Sequence, residues 1–166
     1  GTFFEDYAAN VIYLGSTPTG HQVEMSKYAY GLKSGNASVT LTGLTFQHFA
    51  TPAQQGAVFV SGLGWMIDGI TTRANHAHGL FLSQSDGTVV RNSSMVDNGE
   101  LGMGQYKSQN VLVTHNVISR NNVDGFWIID WESGGYKATY SSGTFSYNTV
   151  SANRGVGMHT VERVEK

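Results

Sequence analysis

NHAHG at residues 75–79 recurs in altered form as NGELG at 98–102, NNVDG at 121–125 and NRGVG at 153–157. Each copy begins with Asn and ends with Gly; the first three are 23 residues apart, and the fourth follows after 32. A fixed period of this length, kept by two residue types, is typical of a solenoid in which successive coils stack. Gly56 extends the glycine row by one more period. We therefore predict a repeat of about 23 residues with an insertion inside one copy.

Two short apolar runs occur in each repeat, separated by clusters of Gly, Asn, Asp and Ser. Those that follow the glycines lie at 57–60, 80–82 and 126–129. The mid-repeat runs align Ile67, Val90, Val113 and Phe145. Such runs predict strands, and no segment keeps a helical apolar period. Stacking the strands predicts an all-β fold, a right-handed parallel β-helix of about five coils.

The first residues do not keep the period. Runs at 11–14 (VIYL) and 21–24 (HQVE), joined by a turn rich in Gly and Pro, predict strands within residues 1–36 that lead into coils at 37–166. Because the chain begins with Gly, we expect a segment of a longer protein that forms a single domain. An antiparallel sandwich would also have many short strands, but its turns need not recur at one interval. A leucine-rich repeat has a similar period, but its Leu signature is missing.

Composition limits the classes of partner. Charged residues make up only 13% of the chain, the net charge is −2 and there is no Cys. Without a basic patch we expect no nucleic-acid partner, and without a long apolar run we expect no membrane partner. A weakly charged surface rich in Ser, Thr and Asn is common in secreted β proteins, so we expect a secreted or extracellular location.

Several stretches resemble the right-handed parallel β-helix repeat proteins of the pectin-lyase-like superfamily. They are 39–46 (VTLTGLTF), 113–118 (VTHNVI), 145–150 (FSYNTV) and 153–157 (NRGVG). Residues 1–24 are similar to the segment that precedes the helix in secreted bacterial members. The resemblance implies a carbohydrate-related role, since many members cleave, epimerise or bind polysaccharides. The Gly-His-Gly and Arg-Ile-Lys motifs of polygalacturonases are absent, and WIID at 127–130 departs from the Trp-Ile-Asp-His stretch of pectate lyases.

Alternation after the glycines predicts one outward row. It contains Val58, Phe81, Gly104, Trp127 and His159. Phe81 and Trp127 would lie two coils apart, about 9.6 Å, and form an aromatic strip for sugar rings. The insertion is predicted at 131–140, where it would build a wall beside the strip or cover exposed core. The predicted polysaccharide-binding or oligosaccharide-binding residues are Phe81, Tyr106, Lys107, Trp127, Trp131 and Lys137.

Acidic residues flank the same face. If the register continues through the insertion, Asp130 and Glu162 lie about 5 Å apart, which suits a retaining glycosidase. Asp130 and Glu132, two residues apart, could instead approach the wider inverting separation. His159 is a candidate for proton transfer. In the alternative interpretation these groups are solvated edge charges that discourage aggregation.

The histidines indicate no metal site, because no carboxylate or Cys near His76 and His78 in the sequence completes a ligand set. We therefore predict no metal and no cofactor.

The leading functional hypothesis is a secreted polysaccharide-active β-helix segment that resembles glycoside hydrolases. Hydrolysis is favoured over β-elimination because the predicted face carries no Arg to stabilise an enolate. The alternatives are a non-catalytic carbohydrate-binding module and a structural or adhesive solenoid that binds another protein. The open solenoid ends could support self-association.

Overall fold

The computed structural model describes residues 3–6 and 8–161, and within them it has strands but no helix, and so none that could span a membrane. The strands in chain order are β1 Phe3–Asp6, β2 Val11–Leu14, β3 Leu32–Ser34, β4 Thr40–Thr42, β5 Thr45–Gln47, β6 Gly56–Val60, β7 Met66–Asp68, β8 Thr71–Arg73, β9 His78–Ser83, β10 Val89–Arg91, β11 Ser94–Val96, β12 Leu101–Tyr106, β13 Val111–Thr114, β14 Val117–Ser119, β15 Gly134–Thr139, β16 Gly143–Ser146, β17 Thr149–Ser151 and β18 Val156–Val161.

Three parallel sheets run along the solenoid, and each coil contributes one strand to each. Sheet 1 has the order β18-β15-β12-β9-β6-β3, sheet 2 has β16-β13-β10-β7-β4, and sheet 3 has β17-β14-β11-β8-β5. Every neighbouring pair in these sheets is parallel. The predicted all-β parallel solenoid is confirmed, with five complete coils and β18 opening a sixth.

The leading residues form a separate element. β1 and β2 pair as an antiparallel hairpin, with Phe3 opposite Leu14. The predicted strand at 11–14 is confirmed, whereas residues 21–24, which the structure describes, form no strand. β3 already pairs in parallel with β6, so solenoid pairing begins at Leu32.

The asparagine row forms a hydrogen-bonded ladder inside the turns, as the structural interpretation of its spacing predicts. The side chain of Asn75 donates to Asn98 Oδ1 at 2.9 Å, Asn98 donates to Asn121 at 3.1 Å, and Asn121 donates to Asn153 at 2.9 Å. The first three amides are buried. Because each amide both donates and accepts, the ladder satisfies polar groups that would otherwise be costly to bury.

The core lies between the three sheets. In sheet 2, Ile67, Val90 and Val113 are aligned and almost completely buried, and Phe145 continues the row on β16. This confirms the predicted mid-repeat row. Aliphatic side chains stacked at the strand spacing remove apolar surface from water on every coil, which is what stabilises a solenoid.

The register of the coil that contains Gly56 differs from the sequence-based prediction by one residue. Gly56 pairs with His78 rather than with Gly79, and Val58 is buried in the core, so Phe59 takes the outward position that was predicted for Val58.

The register of the coil with the insertion also differs from the prediction. Gly104 pairs with Lys137 and Met103 with Tyr136, so Gly135 rather than Gly125 continues the glycine row. The apolar run at 126–129 forms no strand, and the insertion occupies 122–133 rather than 131–140. We call residues 122–133 the insertion loop.

Packing explains why β15 takes the strand position. Tyr136 points into the core, donates its hydroxyl to Gln105 Oε1 at 2.7 Å and stacks on Phe145 with ring centroids 4.9 Å apart. Burial raises the pKa of the Tyr136 hydroxyl well above its ordinary range. Two residues further on, Ala138 is also buried. The segment therefore has the alternation of a strand, with one face in the core.

Candidate functional site

The outer face of sheet 1 carries one row of groups along the solenoid axis. Phe81 pairs with Gly104, Gly104 with Lys137, and Lys137 with His159. At the strand spacing the row spans about 14 Å. Three of its members occupy the predicted row, but Lys137 takes the position predicted for Trp127.

Gly104 leaves a depression in this row. A Cβ atom there would lie 2.5 Å from Phe81 Cδ2 and 3.2 Å from His78 Cδ2, so a side chain at this position would collide with the two rings. The depression opens into a cavity of about 250 Å³. Its lining consists of Gln54, His78, Phe81, Leu101, Gly104, Gln105, Tyr106, Glu132, Lys137 and Thr139. A lining that combines aromatic rings with polar or charged groups is typical of a site for a polar organic ligand.

A smaller cavity of about 140 Å³ adjoins the first. Its lining consists of Leu101, Ile129, Asp130, Glu132, Ser133, Tyr136, Lys137, Val156 and His159. The two cavities share Leu101, Glu132 and Lys137. We call the pair of cavities the groove. It follows the solenoid axis across several coils.

The insertion loop forms one wall of the groove, and partly buried hydrogen bonds hold it there. Asn122 donates its amide to the carbonyl oxygens of Trp127 at 3.0 Å and Arg154 at 3.1 Å, and accepts from the Trp127 N–H at 3.2 Å. Ser133 closes the other end by donating its hydroxyl to the Ile128 carbonyl at 3.0 Å. Polar groups at both ends of the loop therefore fix its position on the sheet.

Glu132 and Lys137 form an ion pair between the two cavities. Lys137 Nζ donates to Glu132 Oε1 at 2.6 Å, and both side chains are mostly buried, with 17% and 18% exposed. Glu132 has φ +51°, in the left-handed region that costs a non-glycine residue energy. The strained turn directs its carboxylate toward the groove, where partial burial strengthens the pair relative to a surface pair.

A second pair of polar side chains, His78 and Glu100, lies deeper. His78 Nδ1 is 3.1 Å from Glu100 Oε2, and the two side chains are 0% and 1% exposed. The atoms are within ion-pair distance, but neither ring nitrogen of His78 meets hydrogen-bond geometry with any described residue. Phe81 stacks on the imidazole at 5.5 Å between centroids. The N–H of Gln54 donates to Glu100 Oε2 at 3.0 Å and fixes that carboxylate.

These two pairs meet at the start of consecutive strands. His78 begins β9, and Glu100 and Glu132 lie just before β12 and β15. One ligand-type atom from each of the three residues lies within 4.8 Å of the other two. Sequence reasoning missed His78 and Glu100 as site residues, because their carboxylate partners are 22 and 32 positions away in the chain. A signal was nevertheless present, since His78 immediately precedes the repeated Gly79 and Glu100 lies two residues before the repeated Gly102.

The structure brings together part of the predicted site. Phe81, Tyr106, Glu132 and Lys137 line the larger cavity, and Asp130 and His159 join the last two around the smaller one.

The remaining predicted residues lie elsewhere. Trp127 packs against His76, with ring centroids 5.6 Å apart, and donates its indole N–H to the carbonyl of His76 at 3.3 Å. It therefore lies in the insertion loop and not in the strip with Phe81. Trp131 is 53% exposed in the same loop, and Lys107 is exposed at a turn with its Nζ 5.2 Å from the Tyr106 ring centroid. Glu162 lies outside the described residues, so its predicted pairing with Asp130 remains a prediction.

Comparison with known proteins places the chain in a family. Residues 11–165 match the family described as right handed beta helix region. No curated protein matches the chain. Among solved structures, the A-module of mannuronan C-5 epimerase AlgE6 from Azotobacter vinelandii is similar, with 11% identity and a TM-score of 0.31. The alignment covers 81% of this chain and 57% of that module, and it transfers no residue role.

The match to the family spans every strand of the three sheets, and it agrees with the parallel pairing of these strands. The chain belongs to the right handed beta helix family.

Proposed function

We propose that this chain is a secreted, polysaccharide-active β-helix segment that binds a sugar chain along the groove. The observation that carries the proposal is the groove itself, in which two adjoining cavities share the Glu132–Lys137 pair. A row of about 14 Å is long enough for a short oligosaccharide. A site that binds carbohydrate needs apolar side chains to contact the faces of the sugar rings and polar groups to bond the hydroxyls, and the lining of the groove has both.

We assign recognition of the sugar to the aromatic residues of the larger cavity and to the Glu132–Lys137 pair. Tyr106 contributes an apolar ring with a polar hydroxyl, a combination suited to sugar faces and their substituents. Lys137 can donate to sugar hydroxyls or carboxylates with the hydrogens that Glu132 does not take. Phe81, held between Phe59 at 5.6 Å and His78 at 5.5 Å, is pre-organised and loses little entropy on binding.

Hydrolysis of a glycosidic bond is assigned to the smaller cavity. Such reactions generally use two carboxyl groups, one on each side of the bond. Asp130 and Glu132 both line this cavity, together with His159 on β18. Asp130 forms no hydrogen bond or ion pair with the described residues, so it is available for proton transfer. Glu132 is paired with Lys137 at 2.6 Å.

The binding part of the proposal is tested with Tyr106→Ala. Removing the ring from the larger cavity should weaken oligosaccharide binding about tenfold, about 1.4 kcal/mol, because stacking area is lost. A glycan array identifies a ligand, and affinity gel electrophoresis or calorimetry then measures the change.

Tyr147→Ala is the matched control. Tyr147 is 82% exposed and stacks on His115 at the turn between sheets 2 and 3, away from the groove. Its removal should leave affinity unchanged. Equal losses in the Tyr106 and Tyr147 variants, or no loss in the former, would contradict the assignment of the groove.

The catalytic part is tested separately with Asp130→Asn. Hydrolysis of the bound sugar should fall at least a hundredfold, because removing a positioned acid or base costs factors of this size, while binding stays within about twofold. Chromatography of the products measures turnover. Full turnover in this variant would show that Asp130 has no catalytic role. Binding without any turnover in the wild-type protein would favour a carbohydrate-binding module.

One observation favours the adhesive alternative. The insertion loop exposes large apolar side chains, namely Phe126, Ile128, Ile129 and Trp131. A contiguous exposed apolar surface often contacts another protein. A glycan array without hits would direct attention to this loop.

A further inference from the structure

We infer that His78, Glu100 and Glu132 bind one divalent transition-metal ion at the wall of the groove. This site differs from the sequence-based prediction of no metal. It concerns side chains that the carbohydrate proposal uses only in part, and it can be tested without any sugar.

Geometry is the first argument. The three potential ligand atoms lie within 4.8 Å of one another. Two ligands of a tetrahedral ion with bonds of about 2.1 Å are about 3.4 Å apart. His78 Nδ1 and Glu100 Oε2, at 3.1 Å, already have nearly that separation. Small side-chain rotations of Glu132 would complete the set.

The state of His78 is the second and independent argument. Its side chain is fully buried and lines the larger cavity, and neither ring nitrogen makes a hydrogen bond among the described residues. Buried polar atoms nearly always have partners, so an imidazole without one indicates a missing ligand. A neutral imidazole nitrogen is the commonest metal ligand in proteins.

The charges favour a cation at the same point. Glu100 is 1% exposed, and a carboxylate buried to this degree needs a positive partner. Its oxygen receives the Gln54 N–H at 3.0 Å, which holds the carboxylate in one orientation as an outer-shell partner does. One imidazole with two carboxylates suits a transition metal such as zinc, whereas calcium and magnesium prefer oxygen ligands alone.

Lys137 does not prevent metal binding, but its positive charge lowers the affinity for the ion. A carboxylate has about four lone-pair positions, so Glu132 can keep the ammonium group on Oε1 and still offer an electron pair to a metal. The ammonium nevertheless repels a dication nearby. With an ion on Glu132, proton transfer in the smaller cavity would fall to Asp130 and His159.

Zinc titration of the metal-free full chain tests the site. Calorimetry should show one bound Zn²⁺ per chain, and Co²⁺ should give the visible absorption of a low-coordinate site with an imidazole ligand. His78→Gln and Glu132→Gln should each weaken zinc binding at least a hundredfold, since each removes a ligand. Lys137→Gln should tighten it severalfold by removing the nearby positive charge.

His76→Gln is the matched control, because His76 is the nearest histidine in sequence but is exposed and outside the cluster. It should bind zinc as the wild type does. Circular dichroism checks that each variant keeps its strands. If His78→Gln fails to fold, Glu132→Gln still tests the site, because Glu132 is partly exposed and its substitution should be tolerated. No zinc uptake by the wild type, or equal uptake by the Glu132 variant, would overturn the site and leave His78 in contact with Glu100 alone. Either result leaves the carbohydrate proposal standing.

Discussion

Replacing Asn98 with alanine will lower the free energy of unfolding by about 3 kcal/mol. The Asn98 amide accepts a hydrogen bond from Asn75 at 2.9 Å. It donates to the Thr72 carbonyl and to Asn121 Oδ1, each at 3.1 Å. Alanine removes these bonds inside the solenoid, where Asn75, Asn98 and Asn121 are all buried and water cannot replace them. Each lost bond or orphaned partner costs about 1 kcal/mol.

Urea denaturation followed by circular dichroism measures the loss. Asn36→Ala is the matched control, because Asn36 is exposed and its side chain makes no hydrogen bond among the described residues. We expect the control to change the free energy of unfolding by less than about 0.5 kcal/mol. Equal effects of the two substitutions would show that the ladder contributes nothing beyond an ordinary surface amide.

Replacing Gly102 with valine will destabilise the protein by a similar amount, about 3 kcal/mol. A Cβ atom at this position would lie 2.5 Å from Ile118 Cγ2 and 2.7 Å from Asn121 Nδ2. The valine side chain would therefore displace both Ile118, a core residue of sheet 3, and Asn121 of the asparagine ladder. The backbone cannot yield easily, because β12 is hydrogen-bonded on both edges by β9 and β15.

Gly157→Val separates this crowding from any general effect of valine. By the strand register, Gly102 on β12 is aligned with Gly135 on β15, and Gly135 is aligned with Gly157 on β18, so Gly157 occupies the same row as Gly102. The nearest heavy atom to a Cβ there is Val150 Cγ1 at 3.7 Å, an ordinary contact. We expect the thermal midpoint of the Gly157 variant to stay within about 2 °C of wild type, and that of the Gly102 variant to fall by about 6–12 °C. Similar midpoints for both variants would refute the crowding argument.

The repeated residue types predicted the stacking correctly. Asn75, Asn98 and Asn121 recur at one interval, and the structure joins them side chain to side chain. The row of Ile67 and Val90 was predictable for the same reason. Parallel coils place each residue above its equivalent, so a period in the sequence becomes a direct contact in space.

The position of the insertion was not predictable from this pattern. Residues 126–129 (FWII) and 134–139 (GGYKAT) both follow or contain glycine, and both carry the apolar side chains that a strand of this sheet needs. The choice is decided by packing, since Tyr136 finds Gln105 and Phe145 in the core whereas Phe126 and Ile128 remain 64% and 70% exposed. The local sequence shows which segments could form a strand of sheet 1, but packing against the neighbouring coils decides which of them does.

By itself, the sequence determined that this chain winds into a parallel solenoid and that its asparagines and core aliphatics stack, because a constant period needs no knowledge of distant contacts. Only the tertiary structure decided which groups meet in the groove. His78, Glu100 and Glu132 are brought together because the coils stack at the strand spacing while the insertion loop folds back over sheet 1. That arrangement depends on the three-dimensional path of the loop, which interrupts the very period on which the prediction relied.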